Sequence, residues 1–349
     1  MDKVKKYMHE PISVFAVQDK DKISLKRSSS GGAFMVLARK AIENGGVVFG
    51  VALDSRGNAH YCSAADIGEL KKLQGSKYVY ASLENSFKEV SKLLREGKLV
   101  FFSGLPCQVF ALKFFLEMEN NSLYKGKLIT CDLICHGTLR KNFFPSYIQW
   151  LEGKLNALPG SIKYSFRSKK VNWGKYFCEY SYVSMNTKKR KSVLCPSNED
   201  LYCRAYFSGN YFRKACYSCL FAKSSRVADI TIGDYWGIKE FHPDFYSKLG
   251  VSAVMLNTKE GKCFFDEFCL ESCRWTESTI ERVCKYNLNL NQPSSRSAEA
   301  ELFSERVYTA LDEGKLDLVF SKYLSESGLK FFLKKIIPNK ILYLVARII

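Results

Sequence analysis

The sequence predicts an α/β N-terminal half built on a mixed sheet, followed by an α+β half with irregular loops. Three observations predict it. Up to about residue 158, β-prone runs alternate with stretches of helical periodicity, the order that parallel pairing requires. Beyond Pro159, β-rich segments follow one another with basic or glycine-bearing turns between them. From about residue 301 the chain reads as a basic, helical tail, so the expected division is 1–158, 159–300 and 301–349. With 349 residues, 46% of them hydrophobic and 14% aromatic, the chain can bury substantial cores, which excludes the disordered and fibrous classes.

Ile12 to Gln18 is a short β-prone run. Gly31 to Asn44 has helical spacing, with Phe34, Leu37, Ala38, Ala41 and Ile42 on one face, and ends at Gly45 and Gly46 as helices often do. Val47 to Leu53 reads as a buried strand and Leu83 to Glu96 as an amphipathic helix. Lys98 to Ser103 is the next strand, followed by a turn at Gly104 to Pro106, a helix from Gln108 to Met118, and a buried strand from Leu128 to Ile134. In the second half, Ile162 to Arg167 and Tyr176 to Met185 are β-rich, with a basic turn at Thr187 to Lys191. Ile230 to Gly233 is a short strand, Glu260 to Cys273 a helix, and Asn289 to Ser297 a polar linker.

Lys and Arg number 53 against 35 Asp and Glu, a formal charge of +18 spread along the chain. The first twenty residues include Asp2, Lys3, Lys5, Lys6, His9 and Glu10 and lack the apolar run of a secretory signal, so the expected location is cytoplasmic. No run approaches the roughly 18 uninterrupted apolar residues of a spanning helix. The basic residues are scattered rather than clustered and no nucleic-acid module is visible, so no nucleic-acid partner is expected. Gly-x-Gly-x-x-Gly, Gly-x-x-x-x-Gly-Lys-Ser/Thr and His-Glu-x-x-His are absent, and with four histidines any metal must be carried by sulfur.

Thirteen cysteines in a chain without a signal favour thiolate chemistry over disulfides. Cys62, Cys178, Cys263 and Cys269 sit among apolar or aromatic neighbours and read as inert core residues. Cys107, Cys131, Cys135, Cys216 and Cys219 lie in turn-like surroundings and are ligand candidates. Cys107 falls in the first turn of a helix, where the dipole lowers a thiol pKa. Cys135 closes a buried strand, and Cys216-Tyr-Ser-Cys219 is a C-x-x-C. Four thiolates suit either zinc or an iron–sulfur cubane; two ligands arriving singly tilt the reading toward the cluster. Ser28-Ser29-Ser30-Gly31-Gly32 precedes a helix, where backbone N–H groups can hold a phosphate-bearing cofactor; the plainer reading is a serine cap with turn glycines. Gly75-Ser76-Lys77-Tyr78 is a second small loop of this kind.

These segments together resemble the coenzyme F420 hydrogenase/dehydrogenase beta subunit family. The resemblance runs through Ser28 to Phe34, Gly45 to Gly50, Gly75 to Tyr78, Ser103 to Gln108, Asp132 to Gly137, Phe166-Arg167, Trp173, Cys216 to Cys219, Asp229 to Gly237 and Gly250 to Ser252 with Asn257-Thr258, about residues 12 to 300. It implies an oxidoreductase with FAD and a 4Fe-4S cluster held by Cys107, Cys135, Cys216 and Cys219, Cys131 being the variable position. Ser28, Ser29, Ser30, Gly31, Gly32, Gly75, Ser76, Lys77 and Tyr78 would belong to the flavin site, and Gln108 and His136 would lie near the cofactors. Asp229, Asp234 and Trp236 read equally as functional or as a strand followed by a capping turn.

Many members of the family carry an N-terminal ferredoxin-like module, whereas no cysteine precedes Ser28 here. An acidic carrier such as ferredoxin or flavodoxin, steered by the +18 charge, is therefore the expected partner. Relatives of this short type point to surface polysaccharide biosynthesis as the setting. The alternative is a zinc-stabilised, non-redox accessory protein of such a complex. Leu329 to Ile349 combines five basic residues with bulky apolar ones, which suits either peripheral contact with the anionic inner face of the membrane or a docking helix.

Overall fold

The computed structural model describes residues 2–119 and 127–325. Eleven strands appear there: β1 (Ser13–Asp19), β2 (Val47–Leu53), β3 (Ala59–Ala64), β4 (Val100–Gly104), β5 (Leu128–Leu133), β6 (Lys163–Ser165), β7 (Phe177–Val183), β8 (Arg190–Pro196), β9 (Ile230–Asp234), β10 (Ser252–Leu256) and β11 (Cys273–Ser278). Eight of them form one mixed sheet in the order β11-β1-β10-β9-β5-β4-β2-β3. Its centre, β2, β4, β5 and β9, is parallel, with Val47 opposite Val100, Val100 opposite Leu128 and Cys131 opposite Ile230. The flanking strands pair antiparallel. Near-continuous apolar runs are what parallel strands covered on both faces require, and β4 is buried at all five positions.

The sheet takes strands from both sides of residue 158, because β9, β10 and β11 return to it. Only β6, β7 and β8, antiparallel to one another, form a separate small sheet. One core, with Val36, Leu37, Phe101, Val254 and Phe265, lies under the helices Ala33–Glu43 and Lys259–Phe268. A larger and more aromatic core gathers Phe102, Phe143, Phe144, Phe166, Tyr202 and Phe320 around the helices Pro106–Met118, Phe143–Leu155, Leu201–Phe207 and Ala298–Asp312.

The helix expected over 260–273 stops at Phe268, and Cys273 opens β11 instead. That strand runs along β1 at the sheet edge with an exposed outer face, which hides its period in the sequence. The tail is helical over Ala298–Asp312 and over a π-helical turn at Leu318–Tyr323; the amphipathic stretch 329–349 lies outside the described residues. Among the described residues no helix is long and apolar enough to cross a membrane.

Candidate functional site

In an open sheet with parallel strands, ligands gather at the carboxyl ends of those strands. Here a cavity of about 410 Å³ lies at that edge, lined by Ser103 to Leu105 at the end of β4, Leu133 to Thr138 at and beyond the end of β5, and Ile232 to Asp234 of β9. Its volume falls within the range of small-molecule sites. Of the cofactor-site residues expected from sequence, Ser28, Ser29, Ser30, Gly32, Gly75, Ser76, Lys77, Tyr78, Gln108 and His136 all line it. Gly31 does not. A Cβ at Gly31 would stand 2.3 Å from the Val17 carbonyl oxygen and 2.4 Å from the Ser252 nitrogen, so this glycine lets the loop lie against β1 and β10.

The serine loop enters the helix Ala33–Glu43 through Gly32, which takes φ +86° and supplies no side-chain cap. The serine hydroxyls are engaged inside the protein. Ser28 donates to the Ser24 carbonyl and Ser30 to that of Val251 (2.9 Å), while Ser29 accepts from the Ser76 backbone N–H at 2.8 Å. The anion-binding capacity of this loop therefore rests with the backbone of the first helical turn. Lys169, which no sequence motif singles out, fastens the same loop by donating to the carbonyls of Leu25 and Ser30.

Lys77 and Gln108 each carry a structural duty. The Lys77 ammonium donates to the carbonyls of Lys72, Leu73 and Gln74, closing the C-terminus of the helix Ile67–Leu73, and burial lowers its pKa to about 7. Gln108 Oε1 accepts from Tyr61 O–H (2.9 Å) and from the Leu105 backbone N–H (3.2 Å), so it caps the helix Pro106–Met118 while facing the cavity. His136 is held below its usual pKa by burial, against a hydrogen bond with Asn289.

Four motif residues meet only in the fold. Arg167 Nη1 donates to Asp234 Oδ2 at 3.0 Å and to the Tyr78 hydroxyl at 3.2 Å; Asp234 Oδ1 accepts the Trp173 indole N–H at 2.8 Å. The guanidinium lies over Tyr176 and near Trp236, which itself stacks on Trp173 at 4.9 Å. Burial opposes the Arg167 charge, but Asp234 and Tyr78 outweigh it and the net pKa shift is upward. Asp234, Trp236 and Arg167 thus line the cavity. Asp229 does not: it accepts from Thr130 and Thr258 beside the Lys113 ammonium, binding the starts of β5 and β9.

The four cysteines expected to act as ligands lie near enough to influence one another's ionisation. Cys107 is exposed at the surface, yet desolvation by the surrounding chain, and then the neighbouring Cys219 and Cys216 thiols, push its pKa up to about 11. The dipole effect expected from the helix start is outweighed, because desolvation and like-charged neighbours both disfavour the thiolate. Cys135 is raised further, by burial and then by Cys107, Cys216 and Cys219. Cys131 points elsewhere in the sheet and is fully buried. Of the four, only Cys135 also lines the cavity. Among the described residues, no three of these sulfurs lie within 4.8 Å of one another.

Arg226 holds the loop after Cys219 in place. Its side chain is 1% exposed and donates to Asp132 Oδ1 at 2.9 Å, to the carbonyls of Phe221 and Lys223, and to that of Leu133. The cysteine loop is thereby tied to the end of β5, two residues before Cys135. No pattern in the sequence marks Arg226, whose role depends on a partner 94 residues away.

Residues 97–281, more than half of the chain, match the family model for the C terminus of the coenzyme F420 hydrogenase/dehydrogenase beta subunit. Among solved structures, a chain from the F420-reducing [NiFe] hydrogenase complex of Methanosarcina barkeri, studied by xenon derivatization, is similar at a TM-score of 0.52. The likeness covers 88% of this chain and 96% of that one at 18% identity, so it shows a shared fold. No curated protein matches the chain. The chain belongs to the coenzyme F420 hydrogenase/dehydrogenase beta subunit family.

Proposed function

We propose that the protein is an iron–sulfur flavoprotein oxidoreductase, with FAD in the cavity and a 4Fe-4S cluster held by Cys107, Cys135, Cys216 and Cys219. Cys135 carries the reading: it lines the cavity two residues beyond β5, whose end Arg226 ties to the loop following Cys219, so the two cofactor sites would adjoin. The thiol spacing favours a cluster. A single zinc ion, with Zn–S of about 2.3 Å, gathers its sulfurs to about 3.8 Å from one another, whereas a cubane takes each thiolate on a different iron. The cavity offers the uncapped helix start for a phosphate and aromatic walls from Tyr78, Tyr206 and Trp236 for a flat ring.

When bound, a flavin beside a cluster supplies exchange between a hydride pair and single electrons. The chain's own part is placement. Arg226 and Asp132 set the cysteine loop, Gln108 and Lys77 fix the two helix ends at the cavity, and Arg167 presents positive charge balanced by Asp234. An acidic ferredoxin-type or flavodoxin-type carrier is the electron partner we assign, supported by the +18 charge. Assignment of the acceptor to surface polysaccharide biosynthesis rests on the sequence resemblance alone.

Anaerobic purification with iron, sulfide and flavin analysis tests the reading. The expected protein is brown-yellow, with about four iron and four sulfide per chain and bound FAD. A colourless protein without iron or flavin contradicts it. Cys216→Ser and Cys219→Ser are each expected to lose the iron; full iron in both would overturn the ligand assignment.

A further inference from the structure

A separate group of thiols lies where the small sheet meets the helix Leu201–Phe207, and none of its members lines the cavity. Cys178 on β7 stands directly opposite Cys195 on β8, and its thiol donates to the Cys195 carbonyl at 3.5 Å, while the Cys195 thiol donates to that of Pro196 at 3.4 Å. The helix Leu201–Phe207 brings Cys203, with Asp200 as its N-cap. Cys178 Sγ, Cys203 Sγ and an Asp200 carboxylate oxygen all lie within 4.8 Å of one another, the one such triad among the described residues. Cys178 and Cys203 are fully buried and Asp200 is 3% exposed.

The electrostatics of this pocket lack a cation. Asp200 Oδ1 accepts from the Cys203 backbone N–H at 2.8 Å and Oδ2 from the Tyr147 hydroxyl at 2.6 Å, but no lysine, arginine or histidine pairs with it among the described residues. A buried carboxylate is ordinarily paired with a cation or bound to a metal. The Tyr164 hydroxyl, 3.4 Å from Cys203 Sγ, closes another side of the pocket. Helix capping and the Tyr147 hydroxyl account for the two carboxylate oxygens; they do not account for the two buried thiols gathered within 4.8 Å of the same acid, with Cys195 on the adjacent strand.

We propose that Cys178, Cys195, Asp200 and Cys203 bind one structural zinc ion. The ligand set is thiolate-rich with one hard oxygen, the triad Cys178, Asp200 and Cys203 is compact enough for a single tetrahedral ion, and half-buried Cys195 on the adjacent strand would supply the fourth ligand of a structural site. Binding displaces the thiol protons, which leave to solvent. The ion would clamp β7 and β8 to the helix Leu201–Phe207, whose Tyr206 and Phe207 line the cavity.

Metal analysis of the anaerobically purified protein tests the proposal. The expectation is about one zinc per chain in the wild type, lost at least about tenfold in Cys178→Ser and in Cys203→Ser, with iron unchanged. Cys216→Ser should do the reverse, losing iron and keeping zinc, so failure of the redox reading and failure of this one are distinguishable. Asp200→Asn keeps a good helix cap while removing the charge, and should give up zinc to a chromophoric chelator about tenfold faster. A wild type that contains no zinc and takes none up from added Zn²⁺ overturns the proposal, as does zinc retained in full by both cysteine variants or lost in Cys216→Ser.

Discussion

Asp132 at the end of β5 and Asp234 at the end of β9 each accept from a buried arginine, at 2.9 Å and 3.0 Å, yet the two pairs do different work. The Arg226–Asp132 pair is sealed, at 1% and 0% side-chain exposure, and the remaining Arg226 donors go to backbone carbonyls of the cysteine loop and β5 and to the Thr231 hydroxyl of β9. In the Arg167–Asp234 pair the acid is 18% exposed, the guanidinium is flanked by aromatic rings, and both residues line the cavity. Identical ion-pair chemistry thus serves as an anchor in one place and as a presented charge in the other. What the spare donors reach, and whether the acid meets open space, decides between the two.

The largest effect that sharpens this contrast is expected from Arg226→Ala. It strands a buried aspartate and releases the loop, costing about 3–5 kcal/mol of stability and most of the bound iron. Denaturant midpoints and iron content measure it; a loss under about 1 kcal/mol would return Arg226 to the status of an ordinary ion pair.

The pH dependence should be next in size, and it belongs to the cavity side. Lys77, at about 7 when folded, has shed its proton by pH 9, whereas the unfolded chain keeps it up to about 10.5. A lowered folded pKa means that stability rises with pH across this window, by at most about 2.7 kcal/mol between pH 7 and 9 for one proton. Lys77→Met should flatten that rise relative to wild type, and Arg226→Lys should leave it in place. Equal slopes in wild type and Lys77→Met would show that the lysine keeps its charge on the three carbonyls.

Arg167→Lys is expected to have the smallest effect on folding, within about 1 kcal/mol, but to weaken flavin retention about tenfold, or about 1.4 kcal/mol. Flavin release on dilution reads it. A variant that unfolds with its flavin affinity intact would make Arg167 another anchor and erase the distinction.

The parallel centre of the sheet was legible because its strands are apolar throughout: Val47–Leu53 matches the expected strand residue for residue, and the others shift by a residue or two. Strands with one polar face were harder to read. β3, β8 and β11 carry His60, Lys191 and Arg274 among short apolar residues and have no continuous run to mark them. At the site, the four thiols and the small-residue loops could be found locally, since each sits in its own short motif. The pairings Arg167–Asp234 and Arg226–Asp132, separated by 67 and 94 residues, exist only once the sheet is assembled. Cys178 is buried, as its apolar neighbours suggest, but those neighbours give no sign that Cys203 and Asp200 lie beside it.

Because Cys135 alone belongs to both the thiol set and the cavity, iron, sulfide and flavin content of anaerobically purified Cys135→Ser tests the account most directly. The account expects iron and sulfide to fall well below wild type and FAD to be held less tightly. Iron and flavin both at wild-type levels would contradict it.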